Sequence, residues 1–339
     1  MTVYLYFYFT VFPMLHPQLL MYSADQNITL WQLKKQSSQN IDTTQIQTWM
    51  EQNHVQWCVE WTPEFHYKFW FPKAKPHLMY YMGNIDLLDK PILAIVGPRK
   101  HTSYAQQVLE NIFNQLQHYQ VATISGMAPW VDQLCHKYSL DHNIPTIAVL
   151  GWGLRYFLES KDRHRIESIV QKWWLVISEY KLDQQPTTYT FPQRNRIIAW
   201  LADVVFLPEA SKNSWSLITV DFAAQMKKSI YWVPNTIFSE SSQGLHEYLA
   251  KGIVQMIDDI PSWLDRYFAK SWSTKVPSLS HLSADEKSLI TLIKNQAMIS
   301  FDEIQNKLQK SSQEIMTTLT LLELQNLTYQ TTPGIYKLR

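Results

Sequence analysis

Glycine, cysteine and net charge are all scarce in this 339-residue chain. Its two cysteines, Cys58 and Cys135, are too few for a disulfide framework and are not spaced as a zinc site. They favour a reducing compartment and predict a cytoplasmic protein. With 30 Lys and Arg against 29 Asp and Glu, the formal charge is +1. No overall basic excess attracts a polyanion, so any nucleic-acid site must be local.

A long hydrophobic run is also missing. The most apolar stretch near the start, residues 3–15, is shorter than the roughly 20 residues that a membrane span requires. It has neither a basic flank nor a small-residue cleavage site, so we expect no signal peptide and no membrane partner. We place this stretch in a small, mostly helical N-terminal module over residues 1–70.

From residue 90 onward, short apolar runs alternate with amphipathic stretches, which is typical of βαβ units. The alternation predicts an α/β class fold: a Rossmann-like, doubly wound, mainly parallel sheet over residues 71–262. The predicted strands are residues 92–96, 121–124, 146–150, 175–177, 204–207, 230–233 and 254–257. The predicted helices are residues 104–117, 131–142, 163–173, 192–201, 217–226 and 245–251.

The last part of the chain has the outline of a separate winged-helix-like domain over residues 282–339, after a Ser- and Pro-containing linker over residues 263–281. Ser283, Ser300 and Ser311 each begin an S-x-x-E capping box, which predicts three helices, and a hairpin is expected at the C-terminus.

Sequence-specific recognition of duplex DNA by this last domain is a weaker alternative. Its third predicted helix, residues 313–325, contains two glutamates and no Lys or Arg. Because phosphates would repel such a face, we interpret the domain as a protein-interaction or dimer-stabilising element.

Ligands of open parallel sheets bind at the carboxyl ends of the strands. Four of the eight glycines follow predicted strands: Gly97, Gly126, Gly151 and Gly153. The first is part of Gly97-Pro98-Arg99, which is not a dinucleotide motif, and proline has no N–H to offer a pyrophosphate. We therefore expect no cofactor. Arg99 suits a single phosphate, and pairing with Glu179 or Glu209 is the alternative.

Two further clusters follow later strands. Residues 191–196, Phe-Pro-Gln-Arg-Asn-Arg, open a helix, where Arg194 and Asn195 could meet an anion. Phe191 could stack on a base or pack against the core. Residues 209–219 supply a lysine and several hydroxyls, which also serve commonly as helix caps.

Together these stretches resemble the DprA/Smf family of DNA-processing proteins. The resemblance runs from about residue 71 to residue 257, and residues 191–199, FPQRNRIIA, are its most specific part. It implies a non-catalytic protein that binds and protects incoming single-stranded DNA, loads RecA in natural transformation and forms homodimers. The nucleic-acid-binding residues that we expect are Gly97, Arg99, Ser125, Gly126, Phe191, Arg194, Asn195, Arg196, Lys212, Ser214 and Ser216.

The chain departs from the family pattern at several glycines. Trp130, Trp200 and Trp215 stand where the family has glycine, and Pro129 replaces a basic residue. Either the indoles serve as stacking platforms or this chain binds DNA differently.

An enzymatic alternative is a nucleotide-processing Rossmann protein similar to nucleoside-monophosphate glycosidases. The loop that should hold its paired glycines and glutamate reads Ser214-Trp-Ser-Leu-Ile-Thr219, and lacks both. Glu179 and Glu209 could in principle act as acid and base. Neither a nucleophile nor a metal-ligand cluster accompanies them, so we expect no catalytic residues and no metal.

Overall fold

The computed structural model describes residues 44–60, 64–70, 75–99, 102–270, 283–296, 299–308, 310–324, 328–332 and 334–338. The chain divides into two compact units, Met1–Lys270 and Ser271–Arg339. Among the helices of the described residues, none has the length and apolar character needed to cross a bilayer. The apolar stretch at residues 3–15 lies outside the described part.

The first unit is built on one sheet of nine strands within the described residues, in the order β1-β2-β6-β5-β4-β3-β7-β8-β9. All neighbouring pairs from β3 to β9 are parallel, whereas β2 pairs antiparallel with both β1 and β6. The mainly parallel α/β fold is therefore confirmed. The strands are β1 (Gln56–Val59), β2 (Leu78–Met82), β3 (Ile92–Ile95), β4 (Ala122–Ser125), β5 (Thr146–Val149), β6 (Leu175–Ser178), β7 (Val204–Leu207), β8 (Ser229–Trp232) and β9 (Gln255–Met256).

Helices cover the sheet, and the six that the alternation predicts are all present with shifts of a few residues. The helices of this unit are α1 (Thr44–Gln52), α2 (Ser103–Leu116), α3 (Val131–Asp141), α4 (Leu154–Leu158), α5 (Arg163–Val170), α6 (Thr190–Leu201), α7 (Ser216–Gln225), α8 (Gln243–Ala250) and α9 (Ile260–Tyr267). Strands β3 to β7 are fully buried, as expected for a parallel sheet with both faces covered.

Two predicted boundaries need correction. Strand β1 pairs with β2, so the segment before residue 70 contributes to the sheet of the core and is not a separate helical module in its described part. Helix α9 occupies the start of the predicted linker. Asp259 caps it by accepting from the Ser262 N–H at 2.9 Å, and Trp263 and Leu264 are buried in the core. Burial of these two side chains favours the helix more than the nearby polar and proline residues disfavour it.

The second unit contains α10 (Ala284–Gln296), β10 (Ile299–Ser300), α11 (Phe301–Leu308), α12 (Ser312–Leu324) and a hairpin of β11 (Thr328–Thr332) and β12 (Ile335–Leu338). All three capping boxes form. Each serine N–H donates to its glutamate at 2.7 to 3.0 Å, and each glutamate N–H donates to its serine at 3.2 to 3.4 Å. The three helices and the hairpin agree with the prediction, and assignment to the winged-helix class stays a prediction.

The order of the strands locates the candidate site. Strand β3 lies between β4 and β7: the chain runs from β3 through β4 and β5 to β6 on one side and then crosses to β7, β8 and β9 on the other. This is the topological switch point of the sheet, where a crevice opens beyond the carboxyl ends of the strands. The loops after β3, β4 and β7 meet there.

Candidate functional site: a nucleic-acid interface

Arg99 lies just past β3 and is exposed. Its guanidinium carbon is 5.2 Å from the centroid of the Phe191 ring, a cation–π distance. Phe191, in the first turn of α6, also meets the Trp152 ring edge-on at 5.4 Å. We call Arg99, Phe191 and Trp152 the Arg99 surface. Phe191 is half-buried, so one part of its ring packs on the core while another part remains accessible to solvent.

The carboxylates that could have paired with Arg99 have other partners. Glu179 forms a bidentate pair with Arg196, at 2.8 and 2.5 Å. Glu209 is fully buried and accepts from both the backbone N–H and the hydroxyl of Thr102, at 2.8 and 2.9 Å. The alternative pairing of Arg99 is therefore wrong. The same contacts engage Arg196, which we had expected to face DNA.

Arg194 points into the interior, not toward an anion at the helix entry as we expected. It is only 2% exposed. Its guanidinium donates to the carbonyl of Val149 and to Asn195 Oδ1 (3.0 Å), and it lies 3.9 Å from the carboxylate of Asp132. In α6, positions 194, 197, 198 and 201 form the buried face, at the i, i+3, i+4, i+7 spacing. Arg194 supports the site from below.

The loop after β4 rests on this buried pair. Gly126 has no room for a side chain, because an added Cβ would meet both Arg194 and Asp132. Asp132 in turn accepts from the Ala128 N–H at 3.3 Å. Ser125 is buried and donates to the Ile95 carbonyl at 2.6 Å. Ser125 and Gly126 thus join β3, β4 and α6 and do not face solvent, contrary to our expectation of direct contacts.

Gly97 has a comparable packing role. A Cβ there would lie 2.7 Å from Val131, at the start of α3. Its absence of a side chain lets the loop before Arg99 approach that helix closely.

Burial shifts the pKa values of three side chains beneath the loop after β4. It raises the pKa of the Asp132 carboxyl, while the nearby Arg194 charge lowers it. Burial also lowers the pKa of Arg194. His136 is buried too, and its pKa falls to about 4, so the ring is neutral at pH 7. Its two nitrogens lie 2.6 Å from the Gly126 carbonyl and 2.9 Å from the Thr146 hydroxyl. The loop after β4 is therefore held by buried polar side chains beneath it.

The third predicted cluster, residues 209–219, is less available to DNA than the Arg99 surface. Lys212 is exposed and pairs with Glu247 at 2.7 Å. The hydroxyls of Ser214 and Ser216 lie 2.7 Å apart, and Ser216 is buried. Of this cluster, the polar residues Lys212 and Asn213 are exposed. No group of three potential metal ligands occurs among the described residues.

Comparison with known proteins identifies the family. The model of the family described as DNA recombination-mediator protein A matches residues 59–267. The chain belongs to this family. It is 34% identical to DNA processing protein DprA of Streptococcus pneumoniae over 177 residues, which cover 52% of this chain and 62% of that protein. It is 29% identical to Protein Smf of Escherichia coli over 214 residues, covering 63% and 57%.

Two solved DprA structures have the same fold. The Helicobacter pylori protein, described with a single-stranded DNA binding mode, is 29% identical with a TM-score of 0.56; the match covers 63% of this chain and 96% of that one. The Streptococcus pneumoniae structure is 26% identical with a TM-score of 0.61, covering 75% and 92%. The chain spans less than two thirds of the length of the two curated relatives above.

The tryptophans that replace family glycines have different surroundings. Trp200 donates its indole N–H to the Lys68 carbonyl at 2.7 Å, a structural contact. Trp215 and Trp130 are about half exposed. Trp130 keeps a glycine-like backbone, with φ +77° and ψ −105°. At Trp130 the chain therefore carries an exposed indole on a backbone conformation that glycine adopts easily.

Proposed function

We propose that this chain binds single-stranded DNA at the Arg99 surface. The observation that carries the proposal is the exposed guanidinium of Arg99 on the face of Phe191, at the switch point of the sheet. A guanidinium binds a phosphate through its fork, and an aromatic ring stacks on any unpaired base. The pair therefore offers one contact to the phosphate and one to the base of a nucleotide.

Unpaired strands fit this surface better than duplex DNA. Phe191 and Trp152 are both half-buried in the sheet edge, so only a base that has left its stack can reach them. The near-neutral net charge of the chain also gives a duplex backbone no overall electrostatic attraction. Membership in the recombination-mediator family supports the proposal. The single-stranded DNA binding described for the Helicobacter pylori relative supports it further.

A binding function is favoured over nucleotide hydrolysis. Glu179 is engaged by Arg196 and Glu209 by Thr102. Neither carboxylate is left to move a proton on a bound nucleotide, as a glycosidase-like mechanism requires.

By family membership, we extend the proposal to protection of incoming single strands, delivery of RecA onto them and a homodimeric, cytoplasmic protein. These finer roles rest on the DprA resemblance. The Arg99 surface itself contributes only the DNA contact.

The test is fluorescence anisotropy with fluorescein-labelled oligo-dT and with a duplex of equal length. We expect tighter binding of oligo-dT. Arg99→Ala should weaken it about 10- to 150-fold, since a hydrogen bond to a charged group contributes about 1.5 to 3 kcal/mol. The slope of log K against log salt should become shallower by about 0.7, the contribution of one phosphate contact on a single strand.

A matched control removes an arginine from the opposite edge. Arg266 is exposed on α9, a helix whose Asp265 accepts from Tyr119 just before β4. Arg266→Ala changes the net charge equally and should leave oligo-dT binding unchanged. Equal binding of both DNAs, or equal effects of the two substitutions, would reject the Arg99 surface.

A further inference from the structure

Trp130 is held in a backbone conformation that glycine adopts easily and tryptophan does not. Its φ of +77° with ψ of −105° lies in a sparsely populated region that costs about 1 to 3 kcal/mol for a side chain with a Cβ. The indole is 49% exposed, so burial repays only part of this cost. A tryptophan in a conformation that glycine would adopt at little cost points to a role for the exposed side chain.

The exposed indole forms a wall of a pocket of about 290 Å³. The pocket lies between the loop after β4, helix α3 and helix α5, and we call it the Trp130 pocket. Its lining includes Met127, Trp130, Leu134, Lys137 and Arg165. The volume is at the lower end of ligand sites, about 300 Å³, and suits one ring system more than an extended ligand.

The chemistry of the Trp130 pocket suits a nucleotide. The indole and the Met127 thioether offer a stacking face and a polarizable contact. Lys137 and Arg165 place two cations at the same pocket. Each has a nearby carboxylate, Asp141 at 2.6 Å and Asp162 at 3.2 Å. Exposed pairs of this kind contribute only about 0 to 1 kcal/mol, so a phosphate can replace the carboxylate.

The Trp130 pocket is also close to the Arg99 surface in the fold. Gly97, two positions before Arg99, packs on Val131, the residue after Trp130, since a Cβ at Gly97 would lie 2.7 Å from the Val131 side chain. The two positions from Gly97 to Arg99 and the one from Val131 to Trp130 span together at most about 11 Å. A strand of several nucleotides, of the about 4 to 16 that such sites accommodate, can therefore reach both places.

We infer that the Trp130 pocket binds a nucleobase of the same single strand, a second stacking subsite in addition to the Arg99 surface. The inference rests on the proposed single-stranded DNA binding. The indole stacks on the base, and Lys137 and Arg165 face its phosphate.

The test measures oligo-dT anisotropy with Trp130→Ala, Trp130→Gly and Trp130→Phe. Loss of one base-stacking contact lowers affinity about 5- to 150-fold in the Ala and Gly variants. The salt slope stays unchanged because the indole is uncharged. Trp130→Phe keeps most of the affinity, since any aromatic ring offers a stacking face. The Gly variant separates binding from folding, because it relieves the backbone strain while removing the ring.

Trp173 provides a matched control. It is also exposed (65%) and also has a positive φ of +59°, but it precedes β6 at the opposite edge of the sheet. Trp173→Ala should bind oligo-dT as the unchanged chain does. Normal affinity of both Trp130→Ala and Trp130→Gly, with Arg99→Ala weakened, would overturn the pocket and leave the Arg99 surface standing. Weakening by Trp130→Ala alone would support the pocket and reject the Arg99 surface. Absence of oligo-dT binding by the unchanged chain would contradict both the Trp130 pocket and the Arg99 surface as DNA-binding sites.

Discussion

Removing Arg194 should destabilise the fold by an amount that depends on pH. Arg194→Ala leaves the carboxylate of Asp132 buried without the guanidinium 3.9 Å away. It also removes the donor to the Val149 carbonyl. Breaking a buried ion pair by removing one partner costs about 3 to 5 kcal/mol in the free energy of unfolding. We expect a loss of this size at pH 7.

The sign of the pH dependence follows from Asp132. Burial already raises its pKa in the folded chain, and Arg194 opposes that rise. Without Arg194 the pKa in the folded state rises further, while that of the unfolded chain stays at the ordinary value. An acid with a raised folded pKa binds more protons in the folded state, so stability falls as pH rises through that interval. The deficit of Arg194→Ala should therefore be larger at pH 7 than at pH 5.

Urea unfolding followed by tryptophan fluorescence at both pH values measures this deficit. The double variant Arg194→Ala with Asp132→Asn, which has no carboxylate at position 132, should recover part of the loss at pH 7 and lose the pH dependence. A deficit below about 1 kcal/mol at pH 7, or one that is larger at pH 5, would refute the structural role assigned to the pair.

Three other substitutions test neighbouring parts of the account. His136, whose folded pKa is about 4 against an ordinary 6.5, should make the chain lose up to about 3 kcal/mol of stability as pH falls from 6.5 to 4; His136→Gln should flatten that slope in urea titrations. Trp130→Gly should be more stable to heat than Trp130→Ala, because only glycine relieves φ +77°; the reverse order would argue against strain. Arg196→Ala should weaken oligo-dT binding less than Arg99→Ala in anisotropy, since Arg196 is engaged by Glu179.

The fold was largely predictable because its local signals agree. Alternating apolar runs indicated strands β3 to β9, and S-x-x-E boxes marked three helix starts that the structure confirms. Strands β1 and β2 were missed because they precede the alternation of strands and helices; β1 also has two residues that are at least partly exposed, whereas the equally short strands β3 to β7 are fully buried. Helix α9 was missed because its proline resembles a linker, although proline in a first turn is compatible with a helix.

The site was only partly predictable, and Arg194 gives the reason. We placed it at the helix entry by putting Pro192 in the first helical position. The helix begins two residues earlier, at Thr190. The start of the helix does not decide which way Arg194 points, because Arg194 lies three and four positions before Ile197 and Ile198 and so shares their buried face. Trp152 was missed as a partner of Phe191, although its place just past β5 marked it as part of the carboxyl edge.

The most direct test of the central claim is to find where a single strand lies on the protein. Oligo-dT bound to the full chain can be crosslinked by ultraviolet light, and the modified peptides identified by mass spectrometry. We predict that thymine is attached to peptides containing Phe191 or Trp152, and that Arg99→Ala reduces this attachment. Crosslinks confined to the second unit or to the amino edge of the sheet would contradict the account.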